Sequence, residues 1–191
     1  AGTDRNVSLA DVVRNAFTGA NLPEGMEPGM LAHAAYHGKE PSYPNGCHVC
    51  EVEIDPATGV TEVTKFTAVD DVGRVINPMI VAGQVHGGVA QGIGQALGET
   101  LLFDSQGQLL TGTFLDYQMP VASDFPPFRV VTIAVPTAIN PLGAKGVGEA
   151  GTVGALAATM NAVADALASA GVHDFEMPAT PYRVWQALQS G

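Results

Sequence analysis

The sequence predicts an α+β fold in which mainly antiparallel strands, arranged in hairpins, pack with helices. Strand-like segments occur in neighbouring pairs joined by turns, in the order α-β-β-α-β-β-β-α-α, rather than alternating singly with helices. Two long segments rich in glycine and alanine have the length of packed helices. With 191 residues, 46% of them hydrophobic, the chain can form one domain, residues 1–191, with a sizeable core.

The chain begins with a predicted helix and an irregular stretch. Ser8 is a good N-cap residue, Asp11 follows three positions later, and apolar residues come next. Residues 21–44 are interrupted by prolines and glycines, which favour an extended segment without regular structure.

Two hairpins and a single strand are predicted from β-forming residues and turn residues. Cys47–Ile54 and Val60–Val69 flank the turn residues 55–59 and make the first hairpin. Residues 99–103 and 108–113 make the second. Phe128–Val135 is the clearest single strand.

Three further helices are predicted from their caps and composition. Asn77 before Pro78 starts a helix that runs to Leu97, residues 152–169 form the second, and residues 180–188 form the last. The Asn77–Leu97 helix contains five glycines, and each costs up to about 1 kcal/mol in a helix relative to alanine. So many glycines indicate that a helix or a ligand approaches this backbone closely.

Charge and cysteine content exclude several classes of function. The net charge of −11 argues against a nucleic-acid partner or an anionic membrane surface. No apolar run is long enough for a membrane span, and no signal peptide is visible, so a cytoplasmic location is expected. Cys47 and Cys50 make neither a disulfide framework nor a four-ligand zinc site, and no metal ligand is predicted.

The residues Gly143-Ala-Lys-Gly-Val-Gly-Glu-Ala-Gly151 are the most informative stretch. Gly146 to Gly151 match the dinucleotide fingerprint G-x-G-x-x-G literally. We reject a nicotinamide site because ten residues separate the motif from its strand, Glu149 would face the pyrophosphate, and too little chain follows for a doubly wound sheet. The preferred interpretation is a helix N-terminus whose N–H groups, with Lys145 nearby, face a ligand. Glu149 either complements the helix dipole or has a chemical role.

A second candidate site is the glycine- and glutamine-rich segment from Gly83 to Gln95. Glutamine offers both donors and an acceptor, which suits the edge of a flat heterocycle. Tight helix packing, with the glutamines facing solvent, is the competing interpretation. Asp70 and Asp71 could be paired catalytic carboxylates, but neighbouring strand residues point apart, so capping of the strand end before Gly73 is favoured.

These motifs resemble the C-terminal part of the molybdenum-binding large subunit of the xanthine dehydrogenase and aldehyde oxidase family. Within that family they look most like the aerobic carbon monoxide dehydrogenases. The matching segments lie in order over nearly the whole chain: residues 23–29, 69–78, 83–97, 116–120, 140–143 and 145–151.

The resemblance implies a molybdenum cofactor, in bacteria molybdopterin cytosine dinucleotide. It implies that Glu149 is the general base, which takes a proton from the water whose oxygen is transferred to the substrate. It also implies 2Fe-2S and FAD groups on partner subunits, and a small-molecule substrate. The implied cofactor contacts are Gln84, His86, Gly87, Gly88, Gln91, Lys145, Gly146, Val147 and Gly148.

The chain departs from the family in length, because the family's molybdenum subunit is several times longer. The rest of that subunit is therefore an expected partner, and this chain alone is expected to hold part of a site and to be inactive. The alternative is a non-catalytic fragment or interaction module with the same fold.

Overall fold

The computed structural model describes residues 4–38 and 40–190. The chain separates into two compact units, one up to His37 and one from Gly38 onward. In the first unit, α1 (Leu9–Thr18) begins as predicted, because the Ser8 hydroxyl accepts the Asp11 N–H. It ends at Gly19, whose left-handed φ of 69° returns an N–H to the carbonyl of Asn15.

The second unit contains a three-stranded mixed sheet in the order β1-β2-β3. The first predicted hairpin is confirmed: β1 (Asn45–Ile54) pairs antiparallel with β2 (Thr61–Asp71). A bulge interrupts the register between Glu51 and Val52, and the buried positions of β2 accordingly change phase between Val63 and Phe66.

The prediction of mainly antiparallel strands is only partly right, because β3 (Arg129–Ile133) pairs parallel with β2. A helix and a long connection separate the two strands along the chain. Such a crossover allows the second strand to run in the same direction as the first.

The second predicted hairpin forms only next to its turn, and its two segments do not become strands. Residues 99–113 contain one isolated bridge, between Phe103 and Leu109, and no strand. The turn itself forms, since the Asp104 carboxylate accepts the N–H groups of Gln106 and Gln108 at 2.8 and 2.9 Å. A two-stranded ribbon without a third strand or a covering layer is marginal, so the pairing reaches only the Phe103–Leu109 bridge and the bond from the Leu110 N–H to the Leu102 carbonyl at 2.7 Å.

Two long helices cover the sheet, and a short helix follows them. The helices α2 (Pro78–Leu97), α3 (Ala150–Ala168) and α4 (Pro181–Ser190) confirm the predicted ones to within two residues at each end. None of the helices in the described part of the chain is both long and apolar enough to span a bilayer. The main core lies between α2, α3 and the sheet and consists of Val63, Phe66, Ala68, Val85, Val89, Ile93 and Ala155.

The glycines of α2 permit its close approach to α3, as the composition predicts. A Cβ added at Gly92 would lie 2.8 Å from the carbonyl oxygen of Thr152 and 2.9 Å from the Cβ of Ala155. A Cβ at Gly88 would lie 2.8 Å from the Thr152 nitrogen. Gly83, by contrast, has no neighbouring atom within 4 Å of such a Cβ. Only part of the glycine content is therefore explained by helix packing.

This contrast predicts opposite effects of the same substitution on stability. Gly92→Ala should lower the free energy of unfolding by about 1–3 kcal/mol, because the methyl group overpacks the α2–α3 contact. Gly83→Ala is the matched control and should raise it by up to about 1 kcal/mol through helix propensity. Urea unfolding of the two variants measures both; a stabilising Gly92→Ala would contradict the close packing.

Candidate functional site

The loop between β3 and α3 is fastened to the end of β2 by backbone contacts. The Lys145 N–H donates to the carbonyl of Val72 at 2.9 Å, and the Arg74 N–H donates to that of Gly143 at 2.9 Å. The Asn140 side chain bonds both backbone groups of Ala144. These contacts fix where the glycine-rich stretch begins.

The Lys145 side chain is engaged by the protein itself. Its ammonium donates a short hydrogen bond to the Asp71 carboxylate, and both side chains are largely buried. Asp71 also accepts the N–H groups of Gly73 and Val135 at 2.9 and 3.0 Å. Asp71 thus caps the strand end, as predicted. The hydrogen bond from Lys145, followed by those from the two N–H groups, lowers the pKa of Asp71 to about 2.

The residues after Lys145 leave their backbone donors open. Among the described residues, no hydrogen bond uses the N–H groups of Gly146, Val147, Gly148 or Glu149. Within residues 4–38 and 40–190, a Cβ at Gly146 would meet no atom within 4 Å, and one at Gly148 would meet only the Gln84 amide nitrogen, at 3.8 Å. This part of the loop therefore offers donors and free space to a ligand.

Glu149 is the N-cap residue of α3, but its side chain makes no capping hydrogen bond. It is exposed, and it lies on a cavity of about 550 Å³. The carboxylate is consequently free for a role other than closing the helix, although it still complements the helix dipole. The cavity is formed by residues 42–46, His48, Asp70, residues 146–150, Val153 and Gly154.

The predicted residues of α2 divide between two faces of the helix. Gln84 lies beside Gly148, and the side-chain Oε1 of Gln91 accepts a hydrogen bond from the Thr152 hydroxyl at 3.0 Å. Gly88 packs on α3, and Gly87 is open. His86 lies on another face, where its Nδ1 pairs with the Ala82 carbonyl and its ring packs near Phe128. The structure thus brings Gln84 and Gln91 to the start of α3, and places His86 away from it.

Two residues that line the cavity differ from the sequence analysis: His48 was not selected as a site residue, and the predicted capping of the strand end is wrong for Asp70, because its carboxylate pairs with His48. His48 Nε2 lies 3.1 and 3.2 Å from the two carboxylate oxygens of Asp70, and the side chains are only 3% and 4% exposed. The available signal was strand alternation, because His48 shares the inward face of β1 with Cys50, Val52 and Ile54. Cys47 is exposed on the opposite face, and both cysteines are free thiols.

Residues 1–126 match the model of the molybdopterin cofactor-binding domain family. The chain belongs to this family.

This chain is similar to named relatives over a longer range, which includes the loop of Glu149. It is 44% identical to the nicotine 6-hydroxylase large subunit of Paenarthrobacter nicotinovorans over 97% of its length, which is 23% of that protein. It is 42% identical to the carbon monoxide dehydrogenase large chain of Hydrogenophaga pseudoflava over 95%, which is 22% of that protein. The chain thus spans less than a quarter of the length of these relatives.

Solved structures show the same fold. Carbon monoxide dehydrogenase from Oligotropha carboxidovorans superposes with a TM-score of 0.87 at 35% identity, over 94% of this chain and 22% of that one. Quinoline 2-oxidoreductase from Pseudomonas putida 86 gives 0.86 at 43% identity, over 94% and 23%. The predicted resemblance to molybdenum-dependent large subunits is confirmed.

The Asp71–Lys145 pair predicts a defined pH dependence of stability. Because the pKa of Asp71 is lowered from 3.8 to about 2 in the folded chain, its ionised form stabilises the fold above about pH 4. That contribution declines as the pH falls and is lost below about pH 2. We expect Asp71→Asn to reduce the free energy of unfolding at pH 7, and the difference from the unsubstituted chain to vanish toward pH 2.

Urea unfolding at a series of pH values measures this difference. Asp165→Asn is the matched control, because Asp165 is exposed on α3 and the structure describes no hydrogen bond to it. A difference for Asp71→Asn that stays constant from pH 7 to pH 2 would contradict the assigned cause.

Proposed function

We propose that this chain forms one wall of the molybdenum site of an oxidoreductase large subunit and that Glu149 is the general base. The observation that carries the proposal is the position of Glu149 and the absence of a capping hydrogen bond from its side chain. It occupies the N-cap position of α3, is not used as a cap, and lies on a cavity beside open backbone donors. A carboxylate held in such a place can accept a proton from a nucleophile that enters the cavity.

The residues of the loop fit a pterin cofactor with phosphate groups. The N–H groups from Gly146 to Glu149, which have no partner in the described part of the chain, can donate to phosphate or heterocycle oxygens, and the glycines allow such a group to approach the backbone. Gln84, beside Gly148, adds amide donors and an acceptor. When bound, the molybdenum cofactor supplies the oxidising equivalents of the reaction. We propose molybdopterin cytosine dinucleotide as its form.

The contact residues are assigned on two grounds. Gln84, Gly146, Val147 and Gly148 are supported by their place around the open loop. The motif resemblance alone supports His86, Gly87, Gly88, Gln91 and Lys145. The hydrogen bonds of Gln91 and Lys145 also give these two residues a structural role at the site.

We propose the assembly that the motif resemblance implies. The remaining part of the molybdenum subunit would complete the cavity. Iron–sulfur and flavin subunits, with 2Fe-2S clusters and FAD, would accept the electrons from a small-molecule substrate. We propose a cytoplasmic location for this complex.

Replacing the base tests the proposal directly. Glu149→Gln in the complete enzyme should lower kcat by about 10²–10⁴-fold, because the amide has nearly the same shape but cannot take up the proton. Molybdenum content should stay unchanged. Glu53→Gln, on the solvent side of β1, is the matched control and should keep full activity. Near-normal turnover of a fully loaded Glu149→Gln enzyme would remove the assigned role.

The isolated chain should not hold the cofactor. The loop and Gln84 supply donors on one side only, so we expect the purified 191-residue chain to retain no molybdenum and to oxidise no substrate. Metal analysis after purification under cofactor-producing conditions checks this. Stoichiometric molybdenum with turnover would show that the wall is sufficient by itself.

A further inference from the structure

A buried histidine–aspartate pair lies beneath the loop that carries Glu149. His48 comes from β1 and Asp70 from β2, and both line the same cavity as residues 146–150. Both side chains are almost fully buried, and His48 Nε2 reaches both oxygens of the Asp70 carboxylate. Burying two such polar groups is costly unless they are paired, and the contact between them offsets part of that cost.

The surroundings hold the pair tightly. The imidazole packs edge-on against Phe66, with ring centroids 5.7 Å apart and planes at 83°. A Cβ at Gly154 would overlap the imidazole, and a Cβ at Gly46 would overlap the Asp70 carboxylate. Two glycines, one on α3 and one on β1, thus make room for the pair. Nδ1 of His48 is buried and has no partner among the described residues.

The pair is connected to Glu149 through α3. Gly154 lies five residues after Glu149, within the first turns of the helix that Glu149 precedes. At the other end of the loop, Lys145 is held by Asp71. Asp71 therefore holds one end of the segment 145–154 by an ion pair, and Asp70 supports the other end by fixing the imidazole on which Gly154 packs.

We propose that His48 and Asp70 are positioning residues. They fix the distance between α3 and the sheet, and they thereby direct the Glu149 side chain into the cavity. This inference rests on the proposed role of Glu149 as base. It gives the pair no contact with substrate and no share in the proton transfer. The pair acts by fixing a backbone whose displacement by about 1 Å can cost about 10²-fold in rate.

Two test variants of the complete enzyme, His48→Phe and Gly154→Ala, disturb the pair in different ways, and a third variant tests for rescue. His48→Phe keeps a ring but removes the donor to Asp70, and His48→Gln restores an N–H donor. Gly154→Ala keeps both polar groups, but its methyl group occupies the place of the imidazole. Alanine favours the helix more than glycine, so Gly154→Ala does not weaken α3 itself. Gly112→Ala is the matched control, because its Cβ would come no closer than 3.6 Å to a neighbour.

Two readouts are needed, one of them independent of turnover. Hydrogen–deuterium exchange of peptides covering residues 145–154 should become about tenfold faster in His48→Phe and Gly154→Ala. In both variants kcat should fall by about 10–100-fold, while KM stays within about threefold. His48→Gln should recover part of the loss, and Gly112→Ala should change neither readout.

A double-mutant cycle with Glu149→Gln decides whether the pair acts through the base. We expect His48→Phe to lower the residual kcat of the Glu149→Gln enzyme by less than about twofold. An equal loss in both backgrounds would overturn the positioning role, as would unchanged exchange and kcat in both test variants. Failure of the base assignment is distinguishable, because Glu149→Gln alone would then leave kcat unchanged while the exchange result still reports on the pair.

Discussion

The close packing of α2 on α3 is the contact on which the arrangement of the site depends. Gly88 and Gly92 bring the backbone of α2 against Thr152 and Ala155 with no room for a side chain. That approach places Gln84 beside Gly148 and lets Gln91 accept the Thr152 hydroxyl. A larger separation would pull both glutamines away from the loop. The conformational cost of glycine in a helix is therefore offset by a contact that only glycine permits.

The end of β2 supplies a second constraint, because the side chains of two neighbouring residues there, Asp70 and Asp71, point to opposite sides of the strand. Asp70 points into the unit and meets His48, while Asp71 points to the other side and meets Lys145. Because adjacent side chains of a strand alternate, one strand end can fasten both ends of a loop without any covalent link. The loop between those anchors keeps open backbone donors, which a ligand could use.

The sequence was sufficient for those elements whose signals are local. The caps Ser8 and Asn77, the Asp55–Gly59 turn and the capping role of Asp71 follow from side chains that bond their own neighbours. The parallel pairing of β3 and the short extent of the 99–113 pairing depend on what packs beside those segments, which no local pattern contains. The His48–Asp70 contact joins residues 22 positions apart, and only the register of two strands brings them together.

The region whose fold the relatives share is also the region in which we propose the general base. Proteins named for carbon monoxide, nicotine and quinoline match this chain at 35–44% identity over 94–97% of its length. A segment shared by proteins that are named for such different substrates is suited to reactions at the cofactor and not to selection of the substrate. The open donors, the free carboxylate of Glu149 and its anchoring from both sides are features of that kind. Under the proposed function, the parts that select the substrate are expected in the rest of the large subunit.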